Sequence, residues 1–131
     1  MKLKKKLSND MVTFIPDVQF EDMDNRRLAK AEQITVRLRL ASRKQKDNYM
    51  QLSHGVGASE GRLFIDMDYQ LAIERNVIEV CNLEFEGSPE KIDGPKLFEL
   101  QEQYPELSSL VDECFMKICG THPDDKKKVA I

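Results

Sequence analysis

The sequence predicts an α+β domain, mainly helical, in which a small N-terminal β element is followed by a compact helical domain with one long central helix. Three observations carry this expectation. Ile34, Val36, Leu38 and Leu40 alternate with Thr35, Arg37 and Arg39 in an unbroken period of two. Between Arg62 or Leu63 and Phe85, apolar residues fall into two neighbouring helical stripes. Leu107, Leu110, Val111, Cys114, Phe115 and Ile118 follow the i, i+3, i+4, i+7, i+8, i+11 spacing of an amphipathic helix. A chain of 131 residues supports one modest core and is too short for two.

Taken in order, residues 1–10 read as a flexible basic tail, because four of the first six residues are Lys and no apolar period accompanies them. Met11 to Phe20 holds Val12, Phe14, Ile15, Val18 and Phe20 around Pro16. That is one or two short strands, interrupted where proline lacks an amide donor. Glu21 to Asn25 is an acidic turn, and Arg26 to Ala31 is long enough for one or two helical turns. The strand at 34–40 then buries one face and shows a cationic one. Ser42 is placed to cap a helix running to about Leu52, with Tyr49, Met50 and Leu52 as its apolar residues. His54 to Gly61, with three glycines, is a flexible loop.

In the expected central helix, Tyr69, Ile73, Val77 and Val80 form one stripe, and Leu71, Ile78, Cys81 and Phe85 the other. Val77 to Phe85 is also compatible with a strand, so the end of this helix is ambiguous. Gly87-Ser88-Pro89 terminates it. Asp93-Gly94-Pro95 opens a short helix through Leu97, Phe98 and Leu100, and Tyr104-Pro105 breaks it before the last helix. Gly120 supplies the C-terminal cap. The domain is expected to cover 11–120, with 121–131 a second flexible tail. Its expected core is Ile34, Val36, Leu38, Ile73, Val77, Val80, Leu110, Val111, Cys114, Phe115 and Ile118.

Several function classes drop out on composition. No run of 18 apolar residues exists, which argues against a membrane partner. The basic start lacks an apolar stretch behind it, which argues against secretion. Three cysteines without a CxxC pair point to a reducing compartment. Charge is unevenly spread: residues 1–59 carry 12 basic and 7 acidic side chains, residues 60–114 carry 4 and 14, and residues 115–131 carry 4 and 2. An acidic body between basic ends is a poor nucleic-acid binder but suits a basic protein partner. An ordinary solvated surface would read the same way.

No motif carries catalysis. Cys114, Cys119 and His122 are spaced C-x4-C-x2-H, with Cys81 the natural fourth zinc ligand, but the spacing matches no zinc site. Cys81 and Cys114 also lie on apolar stripes, where cysteine acts as a small hydrophobe. Gly55 to Gly61 reads G-x-G-x-x-x-G without the Gly-Lys-Ser/Thr of a phosphate loop, so it reads as a linker. Asp66 and Asp68, two apart on a helix, do not converge on a cation, and His54 beside Ser53 has no third partner. Arg37, Arg39, Arg43, Lys44 and Lys46 make a basic patch with one aromatic, Tyr49, too few to stack single-stranded bases. No catalytic, cofactor-binding or metal-binding residue is assigned, no cofactor is expected, and the chain reads as a non-enzyme. Two stripes exceed what one neighbouring helix needs, so Tyr69, Leu71, Ile78 and Phe85 are the candidate partner-binding residues, with self-association through the same surface a corollary. Folding alone could also use both stripes.

The run Pro95-Lys96-Leu97-Phe98-Glu99-Leu100-Gln101-Glu102-Gln103-Tyr104-Pro105, followed by Glu106-Leu107-Ser108-Ser109-Leu110-Val111, places an aromatic–proline break just before a final amphipathic helix. In this it resembles the phage tail assembly chaperones encoded between the tail tube and tape measure genes of long-tailed phages. The layout over roughly residues 62–120 is similar too: a long apolar helix, a loop and two closing helices. The resemblance implies a non-enzymatic protein of the host cytoplasm that binds the tape measure protein, with the tail tube protein a further partner. It also implies two product lengths made by a ribosomal slip, for which the lysine codons of Lys126-Lys127-Lys128 would serve. A Lys-rich solubilising tail is the plain alternative there. The alternative function is a small acidic inhibitor or regulator docking on a host nucleic-acid-binding protein, its acidic body mimicking phosphate.

Overall fold

A computed structural model describes residues 11–21, 23–53, 64–84 and 91–122. The two expected tails at 1–10 and beyond His122, the glycine-rich loop, Phe85, Gly87-Ser88-Pro89 and the Lys126–Lys128 run lie outside the described residues. The frame is a three-stranded antiparallel sheet in the order β1 (Met11–Phe14), β4 (Thr35–Arg39), β7 (Val77–Cys81). Two short ribbons accompany it: β2 (Gln19–Phe20) with β3 (Met23–Asp24), and β5 (Met50–Ser53) with β6 (Phe64–Met67). Among the described residues there are four α-helices: α1 (Arg43–Tyr49), α2 (Tyr69–Asn76), α3 (Gly94–Gln103) and α4 (Ser108–Ile118).

Strand β4 is the centre of the sheet because its alternation suits a half-buried surface. Val36 and Leu38 are fully buried while Arg37 and Arg39 face out. Its partners keep the same parity: Val12 stands opposite Leu38 and Phe14 opposite Val36 on β1, and Val80 stands opposite Val36 on β7. A bulge between Arg37 and Leu38 lets Val77 face Leu38, restoring the inward position after the register shift. Helices α2, α3 and α4 pack on one another, α4 against β4 and α3 against β7. All eleven expected core residues are buried, joined among others by Tyr49, Ala72, Ile92, Leu97, Leu100 and Leu107.

Local signals set most helix ends. Ser42 and Gln45 form a reciprocal capping box on α1, satisfying two otherwise orphaned amides. Asp93 caps α3 by accepting from the Lys96 amide at 3.0 Å. After α4, Gly120 takes a left-handed φ of +72°, and the Thr121 and Gly120 amides donate to the Met116 and Lys117 carbonyls. That is the Schellman arrangement in which glycine avoids the Cβ penalty.

The fold corrects several expectations. The long central helix is absent: residues 64–81 form β6, the two-turn helix α2 and β7. The helix stops at Asn76 because Val77, Glu79, Val80 and Cys81 pair with β4, where β-branched side chains such as Val77 and Val80 pack well and the backbone gains a ladder. The β element is therefore not confined to the N-terminus, and sheet and helix are mixed along the described residues in an α+β body. Helix α1 ends at Tyr49, three residues early, and Met50 opens a strand. Asp66 sits on β6 and Asp68 caps α2, accepting from the Leu71 amide at 3.0 Å, so the two do not share a helix. Ordered packing also runs past residue 120. His122 is 3% exposed, its Nε2 lies 3.0 Å from Glu113 Oε1, and its ring stands edge-on to Phe14.

Candidate functional site

One concavity is built by four separate pieces of chain, and two asparagines help to hold them together. Asn25, fully buried, donates from Nδ2 to the Pro16 and Ile34 carbonyls and accepts from the Ile34 amide at 2.7 Å. Its own amide donates to Val18. The β2–β3 ribbon is thereby fixed to the start of β4. Asn82, just past β7, adopts φ +64°, a left-handed conformation that asparagine tolerates better than most residues. Its Nδ2 donates to the Ala31 and Gln33 carbonyls at 3.0 and 2.9 Å, pulling residues 82–84 alongside that ribbon. The 3₁₀ turn Pro105–Leu107, which follows the Tyr104-Pro105 break, supplies the last piece.

These pieces enclose an open groove of about 690 Å³. Ile34 and Leu107, almost wholly buried, belong to its floor, and the half-buried Phe20, Met23 and Leu83 form its walls. Glu21, Glu84 and Glu106 stand exposed around it, with Gln19 and Asn82 beside them. Among the described residues no Lys or Arg lines the groove, and none forms an ion pair with any of these three carboxylates. Among the described residues the lining contains no Cys, His or Ser. It can hold apolar groups below and cations above. Another depression, of about 460 Å³, is lined by Thr13, Phe14, Ile15, Arg26 and Gln33, with no carboxylate among the described residues.

The expected partner-binding residues are not brought together as one helix face. Tyr69 and Leu71 lie on α2, both half-buried against the core, and the Tyr69 ring leans on Phe115 with centroids 4.5 Å apart. Ile78, half-buried, is the extra residue beside the β7 bulge. Phe85 lies outside the described residues. The cationic strand face is also less cationic than the alternation suggests: Arg37 pairs with Glu79 at 3.7 Å, and Lys91 meets the same carboxylate at 4.0 Å. Cys114 and Cys119 are buried, and burial pushes both thiols up; for Cys119 the Lys46 cation pulls part of the way back. Thiols so raised stay protonated at neutral pH and serve as packing groups.

Sequence reasoning missed the groove because its residues are far apart in the chain. One signal was available. Phe20-Glu21, Leu83-Glu84 and Glu106-Leu107 each put an apolar residue next to a glutamate, at the ends of elements where the backbone turns. Comparison with family models, curated proteins and solved structures returns no match.

Proposed function

We propose that this chain is a non-enzymatic protein-binding module, a tail assembly chaperone that holds the tape measure protein in the host cytoplasm during phage tail assembly. The observation that carries the protein-binding part is the groove with an apolar floor and three exposed carboxylates around it that pair with no cation among the described residues. A concave apolar surface with a polar rim shields apolar side chains of a partner while its charges keep the complex in solution. The specific partner comes from the resemblance. Its carrying segment, Pro95 to Val111, folds as α3, a 3₁₀ turn and the start of α4, which supports the reading. The long helix that the resemblance also drew on is not present, so the closing region bears that weight. No helix among the described residues is long and apolar enough to cross a membrane.

Co-expression tests the proposal. The chain should co-purify with a tape measure protein from a long-tailed phage encoding it and keep that protein soluble when it otherwise aggregates. A tape measure protein that stays insoluble and unbound contradicts it. The exposed carboxylates favour one second reading, docking on a basic host nucleic-acid-binding protein. In that case a host enzyme of that kind, and no tape measure protein, would co-purify.

A further inference from the structure

We infer that the groove takes a basic amphipathic protein segment: two or three apolar side chains that enter together, flanked by Lys or Arg that meet Glu21, Glu84 and Glu106. The inference rests on the protein-binding reading above and narrows it to a partner chemistry. The floor and walls set the apolar half. Phe20 and Leu83 each keep part of their side chain in water, and a Leu or Phe laid between them removes apolar surface from water on both partners. The rim decides among apolar occupants. Three exposed carboxylates surround one opening, and among the described residues no cation lines it or pairs with them. Like charges at one opening repel, so an incoming cation gains from all three while an acidic peptide or a phosphate is turned away. An uncharged apolar ligand would leave that repulsion in place. The walls also alternate apolar and acidic neighbours, so a segment that alternates apolar and basic residues matches both features at once.

The probe is a fluorescein-labelled synthetic helical peptide with Leu at i, i+3 and i+7 and Lys at its flanking positions, titrated into the full chain. One control peptide replaces Leu by Ala at constant charge, and a second replaces Lys by Glu at constant apolar content. The Leu/Lys peptide is expected to bind at least about tenfold more tightly than either control. The triple variant Glu21→Gln, Glu84→Gln, Glu106→Gln should lose roughly tenfold in affinity, since each exposed pair contributes modestly, and should lose most of the salt dependence with it. All three side chains are exposed, and an unchanged thermal melt verifies the fold of the variant. Equal binding of the Ala control, unaltered affinity of the triple variant, or no binding of the Leu/Lys peptide overturns the inference. A large affinity gain on deleting residues 1–10 overturns it too, because it assigns the groove to the chain's own Lys-rich start. Retention of the tape measure protein is measured in parallel. If the triple variant retains it as wild type does, the groove inference falls and the chaperone reading stands. If wild type fails to retain it while the peptide results hold, the chaperone reading falls and the groove inference stands.

Discussion

Replacing Gly94 by Ala should destabilise the domain strongly, against the sign that helix propensity gives. Gly94 is the buried first residue of α3, where alanine is normally favoured over glycine by about 1 kcal/mol. Here a Cβ would overlap the carbonyl oxygen of Ile73 and lie 2.9 Å from that of Val77 and 3.0 Å from that of Glu74. All three are main-chain atoms at the end of α2 and the start of β7, so no flexible side chain can swing aside. The Ile73 carbonyl is further held by the Val77 amide that caps α2. Relief requires α3 to move off α2, loosening Leu97, Leu100 and Ile73, each now at most 4% exposed. Overpacking of this kind costs about 1–3 kcal/mol when side chains can adjust, and a rigid backbone clash belongs at or above the upper end. About 3 kcal/mol is a large part of the roughly 5–15 kcal/mol available to a domain of this size, and corresponds to a melting temperature lower by roughly 10 °C. Gly120→Ala is the comparison, since it meets only Lys46 Nζ at 3.5 Å but must hold φ +72°, and should cost about 1–2 kcal/mol. Thermal and urea melts by circular dichroism read both. A Gly94→Ala variant as stable as wild type would refute the close α2–α3 contact.

Further outcomes are expected. Asn25→Ala strips a partner from the Ile34 amide and from two buried carbonyls, and should lower the unfolding free energy by about 2–4 kcal/mol in urea; an unchanged midpoint would show that the ribbon is not held this way. Alkaline pH should weaken the fold. Burial raises the Cys114 and Cys119 thiols and the Tyr49 phenol, so the folded state keeps protons that the unfolded chain releases. Their contribution is complete below the unfolded thiol value of about 8.5 and is lost as pH climbs above it, first through the thiols and then the phenol. A melting temperature flat from neutral pH to above 10 would contradict this. Leu71→Glu and Ile78→Glu, both at half-buried positions, should weaken partner retention or self-association if that surface also takes part. Unchanged retention and unchanged sedimentation in both variants would confine binding to the groove.

Legibility in the sequence followed how local the governing interactions were. Strand β4 and helix α4 could be read directly, because Val36 and Leu38 or Leu110, Val111, Cys114, Phe115 and Ile118 need only one face buried against anything apolar. The caps at Ser42, Asp93 and Gly120 were also readable, since each satisfies amides or carbonyls within its own turn. Residues 69–81 were not. Tyr69, Ile73, Val77 and Val80 satisfy a helical stripe, yet Val77 and Val80 also fit a strand, and the choice was made by β4, which lies some 40 residues earlier in the chain. The groove escaped for the same reason in stronger form. Its walls meet through Asn25 and Asn82, whose side chains bind carbonyls from nine to 51 residues away. Nothing in the local pattern marks either asparagine as more than a turn residue.

Hydrogen exchange, measured on the chain alone and bound to a tape measure protein, bears most directly on whether the acid-rimmed groove is where a protein partner is held. The account predicts slowed exchange in the complex at residues 19–21, 23, 82–84 and 106–107, which form the walls and rim. A complex in which these segments exchange as they do in the free chain, with protection confined to the outer sheet face around Arg37 and Glu79, would contradict it.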